Sequence, residues 1–378
     1  MTNRHSVTMR CVVRVLLFTV CLLPTRAVAD VSAVVESVER LPRTQRLAAY
    51  EAALVRPGIS EADRVVLIRA FSQHAKRLSP LHGPTSYRFD PSRWFAILNY
   101  GFKADPADAD IMWALGKLLI DHQKYREALP VAAAFQKAHP EHHHAVAWHA
   151  WCKAKLEPDG QPAPVLTFPV HFCVLTRNPA AHRAATLEQC RKECEILNST
   201  FRAADGRPLV RFTFQGFSAY ADIADSDSEL LRFGDSNVPY ESGAVARAFN
   251  ACTDARVRDR GAINFYIYNS YSAEKGFQDD TSHGTRNSNR PYLLIDWTRL
   301  NNRGQNPGAH EMGHAFGLEH VGVPGATMAT ETNIMTSVGE GFGSGGKRNL
   351  GFTEAQVAVI LYHAKRTYQR LGLSESQP

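Results

Sequence analysis

Within eleven residues, His310, His314 and His320 stand with Glu311 and Gly317 at spacings that can hold a metal ion and activate a water beside it. Residues four apart share one face of a helix, so His310 and His314 can present ring nitrogens to one ion. Glu311 lies about 100° further round, close enough to take a proton from that water without competing for the metal. It is the candidate general base. If the helix continued, His320 would lie about 280° round and about 15 Å along the axis from His310, too far to complete the set. The chain must therefore break and turn back, and Gly317 permits this because glycine takes positive φ without a Cβ penalty. Three protein ligands with one open position make a catalytic zinc site, whereas a structural site is closed by a fourth ligand.

The pattern H-E-x-x-H-x-x-G-x-x-H resembles the metzincin metallopeptidases, whose signature also includes a downstream methionine in a tight turn beneath the metal. Met335, in Asn333-Ile334-Met335-Thr336, is the expected turn residue rather than Met328. The resemblance implies that it packs under the ligand cage without being a ligand. Val321 follows the third histidine, and Ser337 stands where some members carry a tyrosine. The subfamily is thus unassigned, and no tyrosine ligand is expected.

The supporting elements fall into four segments. Residues 1–29 read as a secretory signal, with Arg4, Arg10 and Arg14 around the apolar run Val12 to Leu23 and Ala27-Val28-Ala29 as the cleavage site. The run is shorter than the roughly 20 residues that span a bilayer. The expectation is export, periplasmic or extracellular, without a stable membrane anchor. Removing those residues takes four arginines and leaves 39 basic against 37 acidic residues, so charge gives no case for nucleic-acid binding. Five cysteines remain, Cys152, Cys173, Cys190, Cys194 and Cys252, enough for at most two disulfides and read as structural.

Residues 30–156 have helical periodicity throughout. Gly116, Ala128 and Pro140 fall twelve apart, and with Leu115, Leu119, Tyr125 and Phe135 they resemble one tetratricopeptide repeat. Three roles stay open for this domain: binding a protein partner or substrate, covering the cleft as a pro-segment, or stabilising its neighbour. Its histidines at 139, 142, 143, 144 and 149 read as a solvated helix start after Pro140 rather than a metal tract.

Residues 157–164 read as a linker and residues 165–378 as the zinc peptidase domain, giving an α+β fold class overall. Strands are expected at 166–176, 209–217, 262–268 and 292–297, with helices at 184–201 and 245–257. A capping box, Thr353 with Gln356, starts the last helix. This order resembles the metzincin subdomain: a twisted mixed sheet, a backing helix, the active-site helix and a C-terminal helix. The resemblance places a fifth, antiparallel edge strand in residues 272–290. Asp279, Asp280 and His283 read as loop solvation, and Asp225, Asp227 and Glu229 lack calcium-loop spacing, so calcium is unsupported. Lys347 and Arg348 read as a solvated loop pair.

The resemblance implies an endopeptidase with one catalytic Zn2+ held by His310, His314 and His320, acting on a protein or peptide with Glu311 as base. Two alternatives use the same residues: a helical-repeat binding protein with a zinc-bound but non-proteolytic domain, and a zinc hydrolase of a non-peptide amide.

Overall fold

The computed structural model describes residues 30–85, 89–158, 164–203, 205–236, 243–272, 276–277 and 291–373. The signal segment and most of residues 272–290 lie outside them. The fold is mixed α/β, with thirteen α-helices and one four-stranded parallel sheet among the described residues.

Seven helices come first: α1 (Val31–Glu39), α2 (Arg43–Leu54), α3 (Glu61–Ala75), α4 (Pro91–Ala104), α5 (Ala109–Asp121), α6 (Tyr125–Ala138) and α7 (His143–Leu156). Short polar residues start several of them, since the side chains of Asp30, Ser60, Asp90 and Asp108 each accept from a first-turn N–H. Helix α5 is apolar on almost every face and buried from Ile111 to Ile120, so it is the centre around which α3, α4, α6 and α7 pack.

The sheet follows. Strand β1 (Thr167–Val174) leads through α8 (Pro179–Ala184) and α9 (Leu187–Thr200) to β2 (Arg211–Ser218). The helix expected at 184–201 is α9, which starts at Leu187 because Thr186 is extended and caps it through Gln189 N–H, and the short α8 precedes it. After α10 (Tyr220–Ile223), α11 (Ala244–Ala251) is shorter than expected, ending where Cys252 becomes extended. Strand β3 (Ile263–Tyr268), a two-residue hairpin of β4 (Tyr271–Ser272) and β5 (Gly276–Phe277), and β6 (Tyr292–Asp296) complete the set.

The sheet order is β2-β1-β3-β6, with every pair parallel. The four strands read from the sequence are thus parallel, and the antiparallel edge strand expected in residues 272–290 lies largely outside the described residues. Strands β3 and β6 are buried along their whole length, which suits parallel strands covered on both faces. Alternate side chains feed two cores. Phe172 and Phe265 face the main core with α9 and the last two helices, while Cys173 and Tyr266 face a smaller one with α11.

Helix α12 (Pro307–Ala315) leaves β6 by a short loop and carries the first two histidines, and α13 (Glu354–Arg370) closes the chain. The main core runs without interruption from Leu47 and Trp148 of the helical half to Val357 and Ile360 of α13. Trp148 Nε1 donates to Ala355 O at 3.0 Å, and Tyr125 Oη donates to Glu354 at 2.6 Å. No described helix is long and apolar enough to cross a membrane, and all five described cysteines are buried thiols outside any disulfide.

Candidate metal centre

All nine residues of α12 are buried. Pro307 at its first position fits there because that N–H would be unpaired anyway. Beneath its first turn lies Glu193 of α9, a 2% exposed carboxylate accepting Asn301 N–H at 2.7 Å. Gly308 makes room for it, since a Cβ there would sit 2.0 Å from Glu193 Oε1. Burial pushes the Glu193 carboxyl up to about 7.

The helix ends in a Schellman turn. Gly317 takes φ +79°, its N–H donates to His314 O at 2.9 Å, and Leu318 N–H donates to Gly313 O at 3.0 Å. The reversed chain brings His320 back to the other two. His310 Nδ1 meets Ile334 O at 2.7 Å, and His314 Nδ1 meets Leu318 O at 2.7 Å. A carbonyl only accepts, so each Nδ1 carries the proton and each Nε2 keeps its lone pair. Those Nε2 atoms lie 3.1 and 3.0 Å from His320 Nε2. Four-coordinate zinc with Zn–N near 2.05 Å has ligand edges of about 3.3 Å, so these two edges are near the length needed, and all three ligand atoms lie within 4.8 Å of one another. Burial, then the cation Arg348, holds His310 well below its usual pKa and keeps it neutral. These three are the residues that can hold a metal ion, and among the described residues no other such group forms.

Met335 is fully buried under α12, where a Cβ on Gly313 would lie 2.4 Å from its sulfur. Its N–H donates to Asn333 Oδ1 at 2.8 Å, and Asn333 Nδ2 donates to Gln356 Oε1 at 2.7 Å, tying the turn to the capping box of α13. Met328 is 60% exposed. The chain after His320 is fastened to this turn through Val321 N–H to Met335 O and Ser337 N–H to Val321 O, both at 3.0 Å.

Glu311 is 4% exposed beside His310. The solvated pair expected at 347–348 is corrected. Lys347 is exposed, but Arg348 is half-buried, donates from Nε to Thr336 O at 2.8 Å, and lies within electrostatic reach of His310 and Glu311. The solvated histidine tract is corrected too. His144 is buried, and the His143 ring lies 4.2 Å from that of His144 and 5.0 Å from His363 of α13. His143 Nε2 meets Gly317 O at 3.1 Å.

Residues 77–83, which follow α3, run along both sides of the centre. Gly322 N–H donates to Arg77 O at 2.8 Å and Ser79 N–H to Gly322 O at 3.1 Å. Further on, Asn333 N–H donates to Leu81 O at 3.1 Å and Gly83 N–H to Glu331 O at 2.8 Å. A cleft of about 740 Å³ between the end of α9, Asn306 and the start of α13 contains none of the three histidines, so cavity size alone does not locate the site. No family model, curated protein or solved structure matches this chain.

Proposed function

We propose that this chain is an exported zinc-dependent endopeptidase of metzincin type. The observation that carries the reading is the convergence of three imidazole Nε2 atoms, two of them fixed as lone-pair donors, with a buried carboxylate one residue along from the first. The donor set suits zinc, which favours neutral imidazoles, and three ligands leave a position open. When bound, zinc supplies a Lewis acid and lowers the pKa of water. Glu311 accepts the proton of the attacking water and delivers it to the leaving nitrogen. The carbonyls of Ile334 and Leu318 hold the two α12 imidazoles in one tautomer and orientation. Helix α12, held from below by Met335, keeps Glu311 and the ligands in one frame.

The test combines metal analysis of the purified full chain with digestion of a denatured protein, alongside chelated enzyme and Glu311→Gln. Stoichiometric zinc, chelator-sensitive cleavage, and a loss of about 10²- to 10⁴-fold in Glu311→Gln at unchanged metal content are expected. Cleavage that survives in Glu311→Gln would remove the mechanism. A zinc-loaded wild type that cleaves nothing would remove the peptidase.

A further inference from the structure

Arg348 is held as a functional group is held. Its backbone sits at φ +49°, a left-handed conformation that a side chain with a Cβ adopts at a cost. Three anchors keep it there: its N–H donates to Thr332 Oγ1 at 3.0 Å, its carbonyl accepts from Asn306 Nδ2 at 2.9 Å, and its Nε donates to Thr336 O at 2.8 Å. Thr336 directly follows Met335 and lies two residues past Ile334, the acceptor for His310. The guanidinium is thus pinned by one edge beside the metal centre.

The other edge is uncommitted. Neither terminal nitrogen of Arg348 has a hydrogen-bond or ion-pair partner among the described residues, and Gly345 beside them contributes no side chain. With Nε committed, the two terminal nitrogens present parallel N–H groups that match the two oxygens of a carboxylate. The charge balance asks for such a partner. Arg299 brings a second guanidinium within electrostatic reach, and among the described residues Glu311 is the carboxylate that acts on Arg348. A half-buried cation next to a cationic metal is unfavourable until an anion arrives.

We propose that Arg348 reads a carboxylate on the substrate next to the bond that is cut. The carboxylate is either an Asp or Glu side chain or the free C-terminus of a short peptide. Arg348 is a specificity-determining residue, while Glu311 remains the base. The inference rests on the peptidase reading for its location, but the carboxylate binding can be measured without catalysis.

The experiment uses full-length zinc-loaded protein and three peptide series sharing a core: one with an acidic residue at each successive position and an amidated C-terminus, one neutral with a free C-terminal carboxylate, and one neutral and amidated. Cleavage is read as kcat/KM and binding by titration into Glu311→Gln, for wild-type Arg348, Arg348→Lys and Arg348→Gln, with melting temperature and metal content as controls. The expected result is a preference of about tenfold to hundredfold for one carboxylate series, lost in Arg348→Gln and partly kept in Arg348→Lys, with neutral peptides changed less than about threefold. The series that shows the preference identifies the source of the carboxylate. Equal losses on charged and neutral peptides would overturn the inference and make Arg348 a support for Glu311, as would a wild type without preference. Arg348-dependent binding of carboxylate peptides without cleavage would uphold the inference while removing the peptidase.

Discussion

Arg77, just past α3 in the helical half, forms an ion pair with Glu319, the residue immediately before the third histidine. The backbone of Arg77 also accepts from Gly322, so this short segment grips the chain on both sides of His320. His143 meets the carbonyl of Gly317, where that chain turns back. The helical half thus holds the ligand that α12 cannot reach. Arg77→Ala is expected to weaken zinc binding about threefold to tenfold with little change in the melting temperature of the metal-free protein, because an ion pair that keeps a quarter of its surface in water contributes only about 1 kcal/mol. Competition with a chelating dye reads the first quantity and thermal denaturation the second. Unchanged zinc affinity would mean that the contact does not position His320.

Deleting residues 30–156 tests the same relationship more severely. The cut would expose the core shared by α5, α7 and α13 and remove the partners of Gly322 and Asn333. The expected outcome is insoluble protein or a chain with no cooperative melting transition. A soluble, zinc-binding and proteolytic fragment would show that the segment is a removable cover.

Met335 and Gly313 fit together as a buried side chain and the gap that receives it. Met335→Ala should cost about 2–5 kcal/mol by leaving a cavity under α12. Gly313→Ala should cost about 1–3 kcal/mol, because the fully buried Met335 has nowhere to move. Both should weaken zinc binding without abolishing it, since the three Nε2 donors remain. Denaturant titration of metal-free and zinc-loaded protein checks both numbers.

How much of this was legible in the sequence depended on range. The turn at Gly317 follows from spacings inside eleven residues, and the start of α13 from a capping box of four. Strands β3 and β6 were readable because their side chains are buried along the whole strand, and β2 because apolar residues alternate with polar ones, although pattern alone does not give parallel register. Arg348 was not readable, because its anchors lie up to 42 positions away, at Asn306. The histidine tract looked solvated because its cover, His363, comes more than 200 residues later. Glu193 did leave a signal that the sequence reading missed. It stands on the stripe formed by Cys190, Cys194 and Leu197, a charged residue in an apolar row.

Glu193 gives a prediction with a defined sign. Its folded pKa is raised to about 7, above the ordinary carboxylate value. The protonated form is therefore the one the fold favours, and this contribution is present at low pH and is lost as pH rises from about 4.5 through 7. Glu193→Gln keeps an acceptor for Asn301 N–H but cannot ionise. The variant should match wild type near pH 5 and be equally or more stable at pH 8, which urea denaturation at the two pH values would show. A large loss at pH 8 would mean that the ionised carboxylate stabilises the start of α12.

The histidines between α7 and α13 act in the opposite direction. Burial lowers His363 to about 3 and His142 to about 4, and it holds His144 well below the usual value. Neither ring nitrogen of His363 has a hydrogen-bond partner among the described residues, so nothing there compensates a proton. The charged groups acting on this cluster are mostly cations, Lys76, Arg77, Arg366 and Arg370, with Glu319 as the opposing acid. As pH falls below about 6.5, the unfolded chain takes up protons that the native fold refuses. Stability is full above that value and falls by about 1.4 kcal/mol per pH unit for each fully buried histidine, less for half-buried His142, until the folded groups titrate. His363→Phe, a buried ring without a titrating nitrogen, should flatten the slope between pH 6.5 and 4.5 by up to about 1.4 kcal/mol per unit. Paired urea titrations across that range measure it, and parallel slopes for the two proteins would show that His363 does not contribute to acid lability.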